Sequence, residues 1–304
     1  MTFDTVIIGG GIAGWQAAIQ LCRCLRKVAV IDAGGGRSSA SKGYRNLLGF
    51  PGGVSGAQLR EAGREYAIRM GAVSISDEVV SLAQREDGLF EVETRGKQRL
   101  QGQTVVLATG IADPFPDIVG LKECLGISVF ICPDCDGFES AGKKTAVIGL
   151  EKQAVEMAKA LSFFTDELLL FHHQDADESP SINGIPGGPA SPYPIRRERV
   201  VEVEHTGGEL TRLVLNSGDT VEVTRAFLAF PGARVQSRLL QPFQVRCNEK
   251  GHVLVNPRTK ETSHPGIWAI GDVTVHSQQV AIAMGDGVQA AIWIHKRLLS
   301  SRPG

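Results

Sequence analysis

Nowhere in these 304 residues do eighteen apolar residues run consecutively, so no segment reads as a membrane-spanning helix. Net charge is equally scarce. Thirty-two Lys and Arg stand against 33 Asp and Glu, leaving −1, a balance that argues against a nucleic-acid or membrane partner. Six cysteines are too few for a disulfide scaffold. A reducing, cytoplasmic setting is expected, with any redox role falling to one specific pair. The opening MTFDTVIIGGG has no basic region and enters a strand pattern at once, so no cleaved leader is expected. There is no tandem repeat and no G-X-Y period. Glycine, by contrast, is abundant. Its 36 residues of 304 exceed the usual ~7% and gather in clusters, as loops that approach a ligand closely require. A hydrophobic fraction of 42% suffices for sizeable cores, and the length suggests about two domains.

Thr5-Val6-Ile7-Ile8 and Val28-Ala29-Val30-Ile31 are short apolar runs of the kind buried parallel strands need. Residues 15–26 and 57–70 read as helices. Segments 73–82, 89–95 and 98–101 read as a meander split by Asp87-Gly88 and Gly96, and a further strand covers 105–108. Ala112-Asp113-Pro114-Phe115-Pro116 looks like a linker. A second strand–turn–helix unit begins at Thr145, with a helix over 151–164 and a strand over 167–171. Pro, Gly and Ser fill a loop at 179–194. Strands at 199–205, 210–216 and 220–230 suggest another antiparallel meander, and a helix spans 279–299. Two related nucleotide-type folds of α/β class follow from this order.

Gly9-Gly10-Gly11-Ile12-Ala13-Gly14 fits G-x-G-x-x-G between a strand and a helix. Gly9 allows the tight turn, Gly11 lets pyrophosphate approach the backbone, and Gly14 lets helix pack on strand. With Ile12 and Ala13 these residues would present the positive end of a helix to phosphates. Asp32 closes the next strand, where a carboxylate would accept from ribose hydroxyls. The bland alternative is a tight glycine turn beside a surface acid. Ala108-Thr109-Gly110 and the apolar strand ending in Gly271-Asp272 resemble the later motifs of flavoproteins with two dinucleotide sites, which favours FAD over NAD.

Cys132-Pro133-Asp134-Cys135-Asp136-Gly137 is a C-x-x-C, a spacing that permits a small disulfide ring. Pro133 suits a first helical turn, whose dipole lowers a thiol pKa. Asp136 is a candidate acid/base for a leaving thiolate. Zinc would need two further ligands, and neither Cys22, Cys24, Cys124, Cys247 nor the histidines supply a second pair at ligand spacing, so no metal is expected. An inert buried pair is the other alternative. Cys22 and Cys24 fall within one helix at a spacing that does not face, and read as packing.

Together these segments, with Asn46–Gly52 and Gln279-Val280-Ala281 ahead of Gly285-x-Gly287, resemble the low-molecular-weight thioredoxin reductases over nearly the whole chain. The resemblance implies two Rossmann-like three-layer dinucleotide-binding domains: a discontinuous FAD domain of 1–111 and 244–304, and a central domain of 112–243 carrying the C-x-x-C. It adds Asn46, Val80, Gln279 and Val280 to the flavin contacts. It implies electron flow from flavin to dithiol to an external disulfide, with Cys135 facing the flavin and Cys132 attacking the partner, in a homodimer.

One stretch departs from that pattern. Relatives that use NADPH carry G-x-G-x-x-A in the central domain and arginines after the next strand. Here Gly149-Leu150-Glu151-Lys152-Gln153-Ala154 puts Glu151 at the second glycine. At about 5 Å and an effective dielectric near 20, its charge would cost about 3 kcal/mol against one phosphate charge. Lys152 offsets this in part. His172-His173-Gln174-Asp175-Ala176-Asp177-Glu178 holds no arginine, although Arg196 and Arg197 could come from another loop. The sequence therefore disfavours NADPH. The leading expectation is a thioredoxin reductase-like enzyme with a thioredoxin-like acceptor and reduced ferredoxin as donor. An O₂-dependent dithiol oxidase and a non-catalytic flavin redox sensor are the alternatives.

Overall fold

The computed structural model describes residues 2–173 and 193–300. Most of the predicted 179–194 loop, and Asp175, Asp177 and Glu178, lie outside the described residues. The chain divides into two compact units: Met1–Ala40, Val54–Asp113 and Arg234–Gly304 form the first, and Ser41–Gly53 with Pro114–Ala233 the second.

In the first unit, strands Val73–Ser76, Val28–Asp32, Thr2–Ile8, Arg99–Leu107 and Ile267–Ala269 lie side by side and parallel. Both faces of the inner strands are buried, which is why they read as unbroken apolar runs. Ile7, Val30, Val106 and Trp268 pack against helices, through Trp15, Ala18 and Leu21 of Ile12–Arg23 and Ala290, Ala291 and Ile294 of Val280–Ser300. Val6, Ile8, Ile31, Val105 and Leu107 share the other face's core with Leu82 and Phe90 of an antiparallel hairpin and with Leu100, at the end of Arg99–Leu107 that pairs with it.

Arg99–Leu107 is one strand where the sequence suggested two. Its first residues pair antiparallel with Phe90–Thr94, and its apolar second half pairs parallel with Thr2–Ile8. The run 73–82 breaks at Asp77 instead, giving Val73–Ser76 to the parallel sheet and Val79–Gln84 to the hairpin. The first helix starts earlier than 15, at Ile12, and stops at Arg23 because Leu25 takes the left-handed conformation (φ 56°).

The second unit orders Ile195–Arg196, Leu168–His172, Thr145–Gly149, Arg225–Ala229 and Val129–Phe130 in a parallel sheet. Helix Glu151–Leu161 buries Ala154, Ala158 and Leu161 on it. Val200–Thr206, Glu209–Leu215 and Thr220–Glu222 form the expected antiparallel meander. The predicted strand 220–230 divides after Glu222. Ala226, Phe227, Leu228 and Ala229 are buried in succession, so this piece occupies the centre of the parallel sheet and not a half-solvated edge.

Candidate dinucleotide and disulfide sites

Strand Thr2–Ile8 ends at Gly9, which sits at φ 108° where a Cβ would strike the Ala108 carbonyl. A Cβ on Gly14 would strike the Gly9 carbonyl oxygen, so this glycine permits close helix–strand packing. Gly11 differs from both: nothing lies within 4 Å of its would-be Cβ. It caps helix Ile12–Arg23 without a side-chain hydrogen bond. The first-turn N–H groups at Ile12 and Ala13 therefore border open space, the cradle a pyrophosphate requires.

Asp32 accepts from the Gly10 N–H at 3.1 Å and from Arg60 at 2.7 Å. Arg60 also donates to the carbonyls of Gly10 (3.2 Å) and Gly35 (2.8 Å), tying the glycine turn to the acid. On sequence it was one charge on the polar face of a surface helix, and nothing marked it out. The Asp77 N–H donates to the Asp32 carbonyl (3.1 Å), so the chain leaves the sheet beside Asp32. Val80, three residues on, is 46% exposed.

Ala108 follows strand Arg99–Leu107 and donates its N–H to Ile8 (2.8 Å), and Gly110 at φ 65° adjoins open space. Gly271, at φ 71°, follows Ile267–Ala269. Asp272 pairs with Arg37 at 3.0 Å, and Arg37 also grips Asp113 at two points (2.5 and 2.6 Å) and Gln278. Burial raises the Asp272 carboxyl above its ordinary value, against the pull of Arg37 and His276. Gln279 and Val280 open the C-terminal helix, the Ala283 N–H reaching the Gln279 carbonyl at 2.9 Å. One unit thus gathers Gly9, Gly11, Ile12, Ala13, Gly14, Asp32, Val80, Ala108, Gly110, Gly271, Asp272, Gln279 and Val280. Asn46 is exposed and lies in Ser41–Gly53, which groups with the second unit. The open cradle over Gly11, the helix starts at Ile12 and Val280, and the acids Asp32 and Asp272 fit a dinucleotide.

In the second unit Cys132 and Cys135 are joined as a disulfide with Cα atoms 5.3 Å apart. Cys132 caps the single turn Pro133–Asp136, its Sγ accepting from the Cys135 N–H at 3.2 Å. Asp136 is half-buried. Burial first, then Glu139, pushes its carboxyl up to about 6 against the pull of Arg45, so it holds its proton to a higher pH than an ordinary Asp and can give or take one near neutral pH. Other thiols have the opposite character. Burial pushes Cys22 and Cys124 up to about 11, out of thiolate reach. Among the described residues no group of three or more His, Cys, Asp or Glu could hold a metal ion, and no helix is long and apolar enough to cross a membrane.

A profile described as pyridine nucleotide-disulphide oxidoreductase matches residues 3–177 and 195–287. The chain belongs to the pyridine nucleotide-disulphide oxidoreductase family. A thioredoxin reductase of Mycolicibacterium smegmatis is 30% identical over 298 residues, 95% of this chain and 94% of that protein. A bifunctional thioredoxin reductase/thioredoxin of Mycobacterium leprae is 32% identical over 297 residues; the match takes in 95% of this chain and only 64% of that longer protein. Among solved structures, that of HlmI superposes with a TM-score of 0.82 at 29% identity, covering 98% of this chain and 93% of HlmI.

In a pyridine nucleotide-disulphide oxidoreductase the second glycine turn is the natural place for the nucleotide, and here it begins helix Glu151–Leu161. The Glu151 N–H donates to His172 Nδ1 at 3.1 Å. Arg197 comes to 3.9 Å from the Glu151 carboxylate, with the two side chains 78% and 47% exposed. Water therefore screens Glu151, and its repulsion of a phosphate is smaller than the ~3 kcal/mol expected at an effective dielectric near 20. Arg196 registers beside Phe171 on the neighbouring strand. Sequence reasoning noted His172 only within a stretch without arginine, and strand register is what brings its ring to the helix start.

Proposed function

We propose that the chain is a FAD-dependent disulfide oxidoreductase of thioredoxin reductase type that passes electrons through Cys132 and Cys135 to a protein disulfide such as that of a thioredoxin. The observation that carries this reading is the Cys132–Cys135 disulfide with a proton-holding Asp136 on the same turn. FAD held at the first glycine cradle, once reduced by two electrons from the donor, would supply the electron pair that opens this bridge. Cys132 thiolate then attacks the partner's disulfide, forming a mixed disulfide and releasing one partner thiolate, which Asp136 protonates. Cys135 thiolate attacks Cys132 sulfur, restores the bridge and releases the second partner thiol. Thioredoxin as the acceptor is supported by relatives named as thioredoxin reductases.

The donor in this reading is reduced ferredoxin, with NADPH used poorly. Support comes from Glu151 in place of a glycine, and from His172 occupying a helix-start N–H that a pyrophosphate would otherwise take. The test is an anaerobic titration of the flavin against NADPH, NADH, reduced ferredoxin and dithiothreitol in parallel. Millimolar NADPH is expected to bleach the flavin slowly or not at all, while reduced ferredoxin and dithiothreitol bleach it. Rapid stoichiometric bleaching by NADPH would overturn the donor assignment.

The same departure at Glu151 and His172 favours a second reading, a dithiol oxidase. A chain that oxidises a small-molecule dithiol and discharges to O₂ has no use for a nicotinamide. Stoichiometric peroxide during aerobic thiol turnover, without protein-disulfide reduction, distinguishes it.

A further inference from the structure

Behind the Gly271–Asp272 turn lies a charged cluster that neither the disulfide chemistry nor the ribose acids use. Asp286, the residue between Gly285 and Gly287, is 4% exposed although it sits on a helix packed on the core. Its Oδ1 takes Lys260 Nζ at 2.8 Å, and its Oδ2 takes both the Gly271 N–H at 3.1 Å and His276 Nε2 at 2.8 Å. The second ring nitrogen of His276, Nδ1, lies 2.7 Å from the Ser277 carbonyl. Both atoms facing the imidazole, a carboxylate oxygen and a carbonyl oxygen, can only accept. A neutral imidazole has one N–H and leaves one of these contacts unmet, so only the imidazolium satisfies both.

The surrounding charges agree. Asp286, Asp272 and Asp113 face Lys260, Arg37 and His276, so a protonated His276 balances three carboxylates with three cations. The hydrogen bond to Asp286 leads the causes that raise the His276 pKa above its ordinary value; burial and Lys260 oppose it. Asp286 stays below its ordinary value although burial works against it, because His276, Lys260 and the Gly271 N–H hold the anion. Among the described residues His252 is a further titratable neighbour, its Nδ1 lying 3.2 Å from the Asp272 carbonyl oxygen.

Gly271 is conformationally committed. It sits at φ 71°, and a Cβ there would crowd the Ala13 Cβ at 3.0 Å, on the first helix of the dinucleotide cradle. A bond that fixes its N–H thus fixes the turn that carries Asp272. We propose that His276 is a proton-dependent positioning residue: as imidazolium it braces Asp286 against the Gly271 N–H and holds the Gly271–Asp272 turn in the form that retains FAD, and deprotonation loosens both. The inference rests on the reading of this unit as the FAD site.

The dissociation constant of FAD from apoprotein, followed by flavin fluorescence between about pH 5.5 and 9 at fixed salt, tests this. In the unaltered protein it is expected to rise roughly tenfold across the His276 titration, the weight of one charge-assisted hydrogen bond. His276→Gln should bind at the weak limit without pH dependence, and Asp286→Asn likewise. The His276 ring, followed by NMR, should titrate above its ordinary 6.5 with a midpoint matching that of FAD retention, which decides the matter even if a variant fails to fold. FAD bound with a pH-independent constant, or an unchanged slope in His276→Gln, sinks the brace and leaves the FAD site standing. Apoprotein that takes up no FAD at any pH sinks both.

Discussion

At Asp136 the surroundings, more than the residue type, decide the chemistry. An Asp ordinarily ionises near 3.8, and burial holds this one to about 6. Between those values the folded chain keeps a proton that the unfolded chain has released, so this group's contribution to stability falls as pH rises from about 4 to 6. Asp136→Asn removes that fall. Its stability relative to the unaltered protein, measured by urea denaturation, should grow across this window and then level off. The same variant should slow partner reduction roughly 10²-fold, within the usual range for a lost general acid. A variant that reduces the partner at full rate would remove Asp136 from the mechanism. Cys135→Ser should keep a yellow flavin and lose dithiol–flavin exchange in anaerobic stopped flow; unchanged exchange would mean that Cys132 is the flavin-facing thiol. The motif itself was legible in sequence, because C-x-x-C is a local spacing. The proton affinity of Asp136 was not, because burial depends on distant segments.

At the scale of elements, glycines decide where helices and strands meet. Gly287 on the C-terminal helix lies against the first helix: a Cβ there would sit 2.6 Å from the Ala13 carbonyl oxygen and 2.9 Å from the Ala17 nitrogen, both rigid backbone. Gly287→Val should therefore cost about 1–3 kcal/mol or more through overpacking. Because the displaced helix carries the Gln279–Val280 turn, FAD affinity should fall along with stability, read by fluorescence and denaturation on one sample. Normal stability in this variant would show that the helices can separate freely. Periodicity and turn residues were enough to find both helices and the inner strands. They failed where one strand changes partners. Arg99–Leu107 is antiparallel at one end and parallel at the other, and Arg225–Ala229 leaves a meander for the middle of another sheet. Such switches follow from which neighbour offers a free edge, and a local pattern does not record that.

For the molecule as a whole, the unit proposed to hold FAD is discontinuous in sequence. Residues near 9–14, 32, 108–110 and 271–280 come from opposite parts of the chain into one unit. Hydrogen exchange measured with and without FAD should show protection in those segments together, with no matching change at 149–154. Protection confined to 149–154 would mean that the second glycine turn, not the first, takes the dinucleotide. Adding FAD at 100 times its dissociation constant should also stabilise this unit by about 2.7 kcal/mol, by mass action alone.

The sequence by itself determined the α/β class, the glycine turn with its acid at Asp32, and the disulfide-forming pair, because each depends on residues close together along the chain. Tertiary structure alone decided that Arg60 would clamp Asp32, that Arg37 would bridge Asp113 and Asp272, that His172 would cap the helix at Glu151, and that Asp286 would be buried between Lys260 and His276. Those groups are brought together by strand register and helix packing. At Asp286 the charges count for most, because the fold has removed the water that would otherwise screen them, whereas the exposed contact at Glu151 stays screened.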